Sequence, residues 1–156
     1  MKLSVVCIGK TRELFVQQGI AKYLKYLRPY VDIEVKELKE EKIHDLRDAP
    51  LIRKRDAEKL MKAAPAGVFL AALDERGQEF TSHEFAHFLN DQIESGVREV
   101  AFVVGGAMGL DESITDAADK VIALSRWTFT HEMARLVLLE QLYRAFTIIK
   151  GKTYHY

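Results

Sequence analysis

Val100-Ala101-Phe102-Val103-Val104-Gly105-Gly106-Ala107-Met108-Gly109-Leu110 is the stretch that decides how the rest of the chain is read. Its first five residues are apolar without interruption, which is the pattern of a strand covered on both faces. A glycine pair closes the strand at once. Two further apolar runs of the same kind end in the same way. Val68–Leu73 leads into Asp74-Glu75-Arg76-Gly77, read as a turn, and Lys120–Leu124 leads into Ser125-Arg126-Trp127-Thr128-Phe129-Thr130-His131. Lys2–Gly9 is a fourth run, and Val31–Leu38 alternates apolar and charged residues as a half-buried strand does.

Helical spacing fills the gaps. Glu13–Leu27 carries Leu14, Ile20, Tyr23, Leu24 and Leu27 on an apolar face and stops before Pro29. Leu51–Ala64 is a basic helix ended by Pro65, while the charged segment Glu40–Asp48 is expected to be a loop. Thr81 and Glu84 have the spacing of a capping box that opens a helix reaching about Ser95. A short helix is expected over Asp111–Ala118 and a long one over Glu132–Lys150, capped by Gly151. Strands that alternate with helices predict an α/β domain with a mainly parallel sheet flanked by helices. With 156 residues and neither linker nor repeat, residues 1–156 read as a single domain.

The long last helix is apolar nearly all round, with Met133, Leu136, Val137, Leu138, Leu139, Leu142, Tyr143, Phe146, Ile148 and Ile149. A helix on its own sheet needs one apolar stripe, so the surplus predicts a second copy packed against it.

Composition narrows the class. The chain is 48% hydrophobic and 29% charged, ordinary for a globular protein. Cys7 is the one cysteine, so no disulfide framework or cysteine metal site can form within a chain, and an intracellular home is expected. The apolar start is too short for a secretory leader, and no run approaches a membrane helix. Net charge is +0, which removes the simplest argument for nucleic-acid binding. Yet residues 1–30 hold six Lys/Arg against one acid, and residues 126–156 hold five against two. A basic face would form if the fold joined the two ends. His83-Glu84-Phe85-Ala86-His87 matches the letters of a zinc-protease helix, but no third ligand is evident, and a solvated helix face is the better reading.

Ligands of open α/β sheets bind beyond the carboxyl ends of the strands. The three segments after Leu73, Val104 and Ala123 are therefore the candidate site, with glycines that let a ligand approach the backbone. The glycine segment is neither a phosphate-binding loop nor the dinucleotide fingerprint.

Five pieces in order point further. They are Val5–Lys10, Phe102–Leu110, Leu124–Arg135, Leu139–Phe146 and the tail Gly151-Lys152-Thr153-Tyr154-His155-Tyr156. On these the chain resembles, end to end, the large-subunit ribosomal RNA pseudouridine N3-methyltransferases (the RlmH family) of the SPOUT superfamily. The resemblance implies a trefoil-knotted fold, a homodimer, and S-adenosylmethionine held by Leu73, Gly105, Leu124, Ser125, Arg126, Trp127, Thr128 and Phe129. It implies methyl transfer to N3 of a pseudouridine in 23S ribosomal RNA on the assembled ribosome, in the cytoplasm, with neither metal nor membrane. The imide proton must leave N3, so His131, Tyr154 and His155 are candidate proton acceptors, and Arg135 could hold a phosphate or base oxygen. Two positions depart from the family pattern. Thr130 replaces a proline, which is expected to loosen the start of the last helix, and Tyr156 replaces a basic residue. A non-catalytic ribosome-binding factor on the same fold is the rival reading, and an enzyme for another adenine nucleotide is the third.

Overall fold

The computed structural model describes residues 1–153. Five strands and five helices alternate: β1 (Lys2–Ile8), α1 (Leu14–Leu27), β2 (Asp32–Leu38), α2 (Ala49–Ala63), β3 (Phe69–Glu79), α3 (Ser82–Glu94), β4 (Glu99–Val104), α4 (Glu112–Ala117), β5 (Lys120–Ala123) and α5 (His131–Ile149). A short 3-10 turn, Leu46–Asp48, precedes α2 within the charged segment read as loop. The sheet order is β2-β1-β4-β3-β5, and every pairing is parallel.

The pleat sorts the core into two layers. Leu3, Val5 and Cys7 of β1 face α1, α3 and α5, together with Phe102 and Val104 of β4. Val6 and Ile8 face the opposite side, where α2 and α4 contribute Ala57, Leu60 and Ile114. Because β1 and β4 are covered on both faces, their sequences are continuously apolar, whereas β2 at the edge alternates.

Three expectations need correction. Asp74–Gly77 is no turn, because β3 runs on to Glu79 through a register shift, so that Ile122 of β5 pairs first with Leu73 and again with Gln78. At this crossing the backbones nearly touch. A Cβ on Gly77 would lie 2.6 Å from the Ile122 nitrogen and carbonyl carbon, so only glycine passes. Second, Leu14 does not join the core face of α1. It is 66% exposed, and Val16, Ile20 and Leu27 are the buried residues instead. Their spacing of three to four residues and its multiples follows one helix face, from which Leu14 is rotated away.

Third, Thr130 does not loosen α5. Its side chain accepts a hydrogen bond from the Met133 N–H at 3.3 Å, an N-cap that proline could not supply. At the other end Gly151 takes φ +61, and Lys152 donates to the Thr147 carbonyl at 2.9 Å to close the helix. The capping box of α3 forms as expected, with Thr81 and Glu84 each bonded to the other's backbone.

The long helix α5 lies between α1 and α3, and its apolar circumference is largely covered within one chain. Tyr143 meets Tyr23, Tyr26 and Tyr30 of the α1 region, and Gln141 accepts a hydrogen bond from Ser82 of α3. Less of its surface is left over than its sequence suggests. The two basic chain ends do meet, since α1 packs on α5 and Lys152 sits over the Tyr30 ring at 5.1 Å. Among the described residues no helix is long and apolar enough to cross a membrane.

Candidate active site

One open cleft of about 1040 Å³ gathers the loops that follow β3, β4 and β5. Its walls are Leu73–Arg76, Val104–Glu112, Ile122, Leu124, Ser125 and Trp127–His131, with Arg53 from α2 and Ala134 from α5. That volume suits a molecule of nucleoside size. Because these strands are parallel neighbours, their carboxyl ends open on the same side of the sheet, which is why three segments distant in sequence converge.

The glycine loop is fixed by its own backbone. A Cβ on Gly105 would lie 2.7 Å from the Gly109 carbonyl carbon and 3.0 Å from the Leu110 nitrogen. Gly106 accepts from the Gly109 N–H at 3.0 Å, and Gly109 takes φ +79. Below the loop Asp56 of α2 is buried, and its Oδ2 would lie 3.7 Å from a Cβ on Gly106. Burial raises the Asp56 carboxyl above the ordinary range, against the opposing charge of Lys59.

The loop after β5 is tied to the β3 extension. Ser125 Oγ accepts from the Trp127 N–H at 2.9 Å, which turns the chain, and Thr128 Oγ1 donates to Glu75 at 3.4 Å. Trp127 projects from this turn and is 81% exposed. Arg76 donates to Asp74 through Nε at 2.8 Å and Nη2 at 3.1 Å, and lies 3.8 Å from Glu112 across the rim. The guanidinium holds the Asp74 carboxyl below the ordinary range.

Of the cofactor positions expected from sequence, Leu73, Gly105, Leu124, Ser125, Trp127, Thr128 and Phe129 line the cleft. Arg126 belongs to the same loop but not to the lining. His131, first residue of α5, also lines it. Burial, then the charge of Arg135, lowers the His131 pKa, while Glu132 and Glu40 oppose the shift. The shift favours the neutral form of the imidazole, which is the form that can take a proton.

Arg135 is placed otherwise than its assigned role requires. It is 0% exposed, donates to the Ile8 carbonyl, and donates to Thr11 Oγ1 at 3.0 Å, with Glu37 at 3.7 Å. Its guanidinium binds the end of β1 to α5, and Arg135 is not among the residues that line the cleft. Tyr154 and His155 lie outside the described residues. His83 and His87 are both exposed on α3, and among the described residues no cluster of three metal-ligating side chains exists.

Sequence reasoning missed Arg53, which reaches the cleft from a basic helix with no mark to separate it from its neighbours. It also missed a polar niche at the carboxyl end of β1. There Glu132 accepts from the Arg12 and Glu13 N–H groups, both at 3.0 Å, and Arg12 pairs with Glu40. Burial would raise the Glu132 carboxyl, but those two hydrogen bonds and the nearby cations hold it below the ordinary range.

Known proteins place this architecture. A family model described as a predicted SPOUT methyltransferase matches residues 1–155. The protein named ribosomal RNA large subunit methyltransferase H of Geotalea uraniireducens is 46% identical over 156 residues, covering 100% of both chains. Its namesake in Halothermothrix orenii is 38% identical over 99% of each chain. Among solved structures, a probable methyltransferase from Bordetella pertussis superposes with a TM-score of 0.55 over 93% of this chain and 96% of its own. A probable methylase family protein from Haemophilus influenzae gives the same TM-score over 99% of this chain and 70% of its own. Both are 12% identical to this chain, so they speak for the fold alone.

Proposed function

The chain belongs to the SPOUT methyltransferase family, and from that premise we propose that it moves a methyl group from S-adenosylmethionine to N3 of a pseudouridine in 23S ribosomal RNA. The observation that carries this reading is the convergence of the loops after β3, β4 and β5 on one cleft, in a chain matched end to end by relatives named for large-subunit ribosomal RNA methylation. A methyltransferase fold with an intact cleft also disfavours the rival of a non-catalytic ribosome-binding factor.

The residues present suit the donor. Leu73, Leu110, Ile122 and Leu124 offer an apolar slot, and the glycine loop offers backbone edges that can read an adenine. Asp74 and Glu75 supply negative charge on one side of the cleft for a cation. S-adenosylmethionine supplies an activated methyl group on a positive sulfur. The protein's part is to hold two reactants in line and to take a proton. Orientation of this kind can account for much of the rate. His131 is the proton acceptor in this reading, because its imidazole lines the cleft. Tyr154 and His155, six residues or fewer beyond the end of α5, are the second pair of substrate contacts in this reading.

Net charge of +0 cannot give tight, indiscriminate RNA binding, so the substrate is the assembled ribosome rather than a free hairpin, and the working place is the cytoplasm. The working form is a homodimer. Leu14 and Phe15 begin α1 beside the start of α5 and are 66% and 58% exposed, a surface suited to a second copy. Such an interface should bury roughly 800 Å² per subunit.

The test has two arms. S-adenosylhomocysteine should raise the melting temperature where ATP and NAD do not. The protein should then methylate ribosomes that lack the modification. Stabilisation by ATP or NAD instead, or inert ribosomes beside good cofactor binding, would overturn the reading.

A further inference from the structure

The carboxyl ends of β1 and β2 build a second polar niche, next to the cofactor cleft but made from other elements. Gly9 ends β1 with φ +86. An ideal Cβ there would lie 3.0 Å from Glu40 Oε2 and 3.7 Å from His131 Nε2, so a carboxylate and an imidazole flank the same open space over a bare backbone without touching each other. Glu40 follows β2, and its other oxygen is held by Arg12 of the β1–α1 loop. Arg12 is held in turn, because its N–H donates to Glu132 at 3.0 Å. The niche is thus braced from three directions, and His131 is the residue it shares with the cleft.

We infer that Glu40 is the positioning residue for His131, facing the imidazole across Gly9 at more than hydrogen-bond distance and stabilising the imidazolium formed in methyl transfer. The inference deepens the proposed function and rests on it for the reaction, though not for the pairing itself. In the step concerned, N3 of the base forms a bond to the methyl carbon as the carbon–sulfur bond breaks. The electron pair of that bond stays on sulfur, which becomes the neutral thioether. The N3 proton passes to His131, which becomes positively charged 3–4 Å from the point that Glu40 also faces. A carboxylate partner favours that charged form, as in other acid–base pairs where a carboxylate orients a histidine. Glycine at position 9 is what leaves the space open. A side chain there would need both a left-handed backbone and the volume between the two groups.

The charged groups that face His131 are Glu132 and Arg135 on its own helix, Arg12 from the β1–α1 loop and Glu40 beyond β2. Arg135 and Arg12 disfavour the imidazolium, and Glu132 and Glu40 favour it. Glu132 is committed to the N–H groups of Arg12 and Glu13, whereas Glu40 gives one oxygen to Arg12 and turns the other, Oε2, to the space above Gly9.

The experiment compares the full-length protein with Glu40→Gln and Glu40→Asp. His131 is titrated by NMR, its ring signal identified by its loss in His131→Gln. Single-turnover methylation of ribosomes and calorimetry with S-adenosylhomocysteine are run beside it. Glu40→Gln should lower the His131 titration midpoint and slow methyl transfer roughly tenfold or more, while cofactor affinity stays within twofold. Glu40→Asp should restore part of both effects. An unmoved His131 midpoint in Glu40→Gln overturns the pairing whatever the activity does. A moved midpoint with an unchanged transfer rate overturns the catalytic part. Wild-type protein that leaves ribosomes unmethylated, with the midpoint still moved, overturns the proposed reaction and upholds the pairing. A general loss of melting temperature and cofactor affinity in both variants would make Glu40 a plain structural residue and overturn the inference.

Discussion

Arg135→Ala should cost about 3–4 kcal/mol of folding stability and lower the melting temperature by roughly 6–16 °C, without acting on the substrate directly. The structure sets that magnitude. The side chain is 0% exposed, and its guanidinium serves three acceptors: the Ile8 carbonyl, Thr11 Oγ1 and, at 3.7 Å, Glu37. Truncation leaves the Ile8 carbonyl without its partner inside the protein, worth about 1–3 kcal/mol, and opens the space of the aliphatic stem. Removing one member of a buried charge pair costs ~3–5 kcal/mol, and the lower part of that range applies because Glu37 is 32% exposed and can turn to water. Urea unfolding followed by circular dichroism measures the loss, and calorimetry with S-adenosylhomocysteine at a temperature where the variant is folded isolates binding. Stability within 1 kcal/mol of wild type, together with failed methyl transfer, would refute the reasoning and return Arg135 to the substrate.

Gly105→Val should abolish cofactor binding while the protein stays folded, because the new side chain meets the Gly109 and Leu110 backbone, which cannot swing aside like a flexible side chain. Unchanged affinity in calorimetry would show that the loop after β4 is not part of the cofactor site. Glu132→Gln separates shape from charge at the start of α5. The carboxyl is held below its ordinary value, so its ionised form stabilises the fold above the unfolded pKa near 4.5 and that gain is lost as pH falls through the lower folded value. The stability gap between wild type and Glu132→Gln, read from urea midpoints, should therefore be present at pH 7 and close in acid. A gap that widens on acidification would contradict the assigned hydrogen bonds.

Much of the fold is legible because burial on two faces leaves a mark. β1, the first half of β3 and β4 read as largely apolar runs since helices cover both sides of the sheet, and Gly77 and Gly105 sit where backbones come close. The convergence of the three loops on one cleft was legible in the same way, through their position at strand ends. What escaped were features set by partners far along the chain. Nothing local separates a turn at Asp74–Gly77 from a strand that continues and crosses β5, for the reason lies at Ile122. Nothing local marks Arg135 as buried. On a helix that reads as apolar all round, an arginine looks like the solvent face, and only its meeting with Ile8 and Thr11 shows otherwise. Glu40 lies in a charged stretch with no pattern, and its meaning comes from Gly9 and His131.

These long-range meetings share a cause. The cleft made from the ends of β3, β4 and β5 brings three loops together, and glycine stands at two places where backbone meets backbone. Gly77 lets β3 cross β5, and Gly105 lets the loop after β4 fold onto itself. After β5 the chain returns so that α5 begins beside the end of β1, where Glu132 accepts from the Arg12 and Glu13 N–H groups. That return places His131 between the cleft and Gly9, and it lets Arg135, one turn later, bind β1 to α5. The tight crossing and the position of His131 both involve the segment that runs from β5 into α5. A residue larger than glycine at position 77 should disturb His131, although the two are 54 residues apart in the sequence.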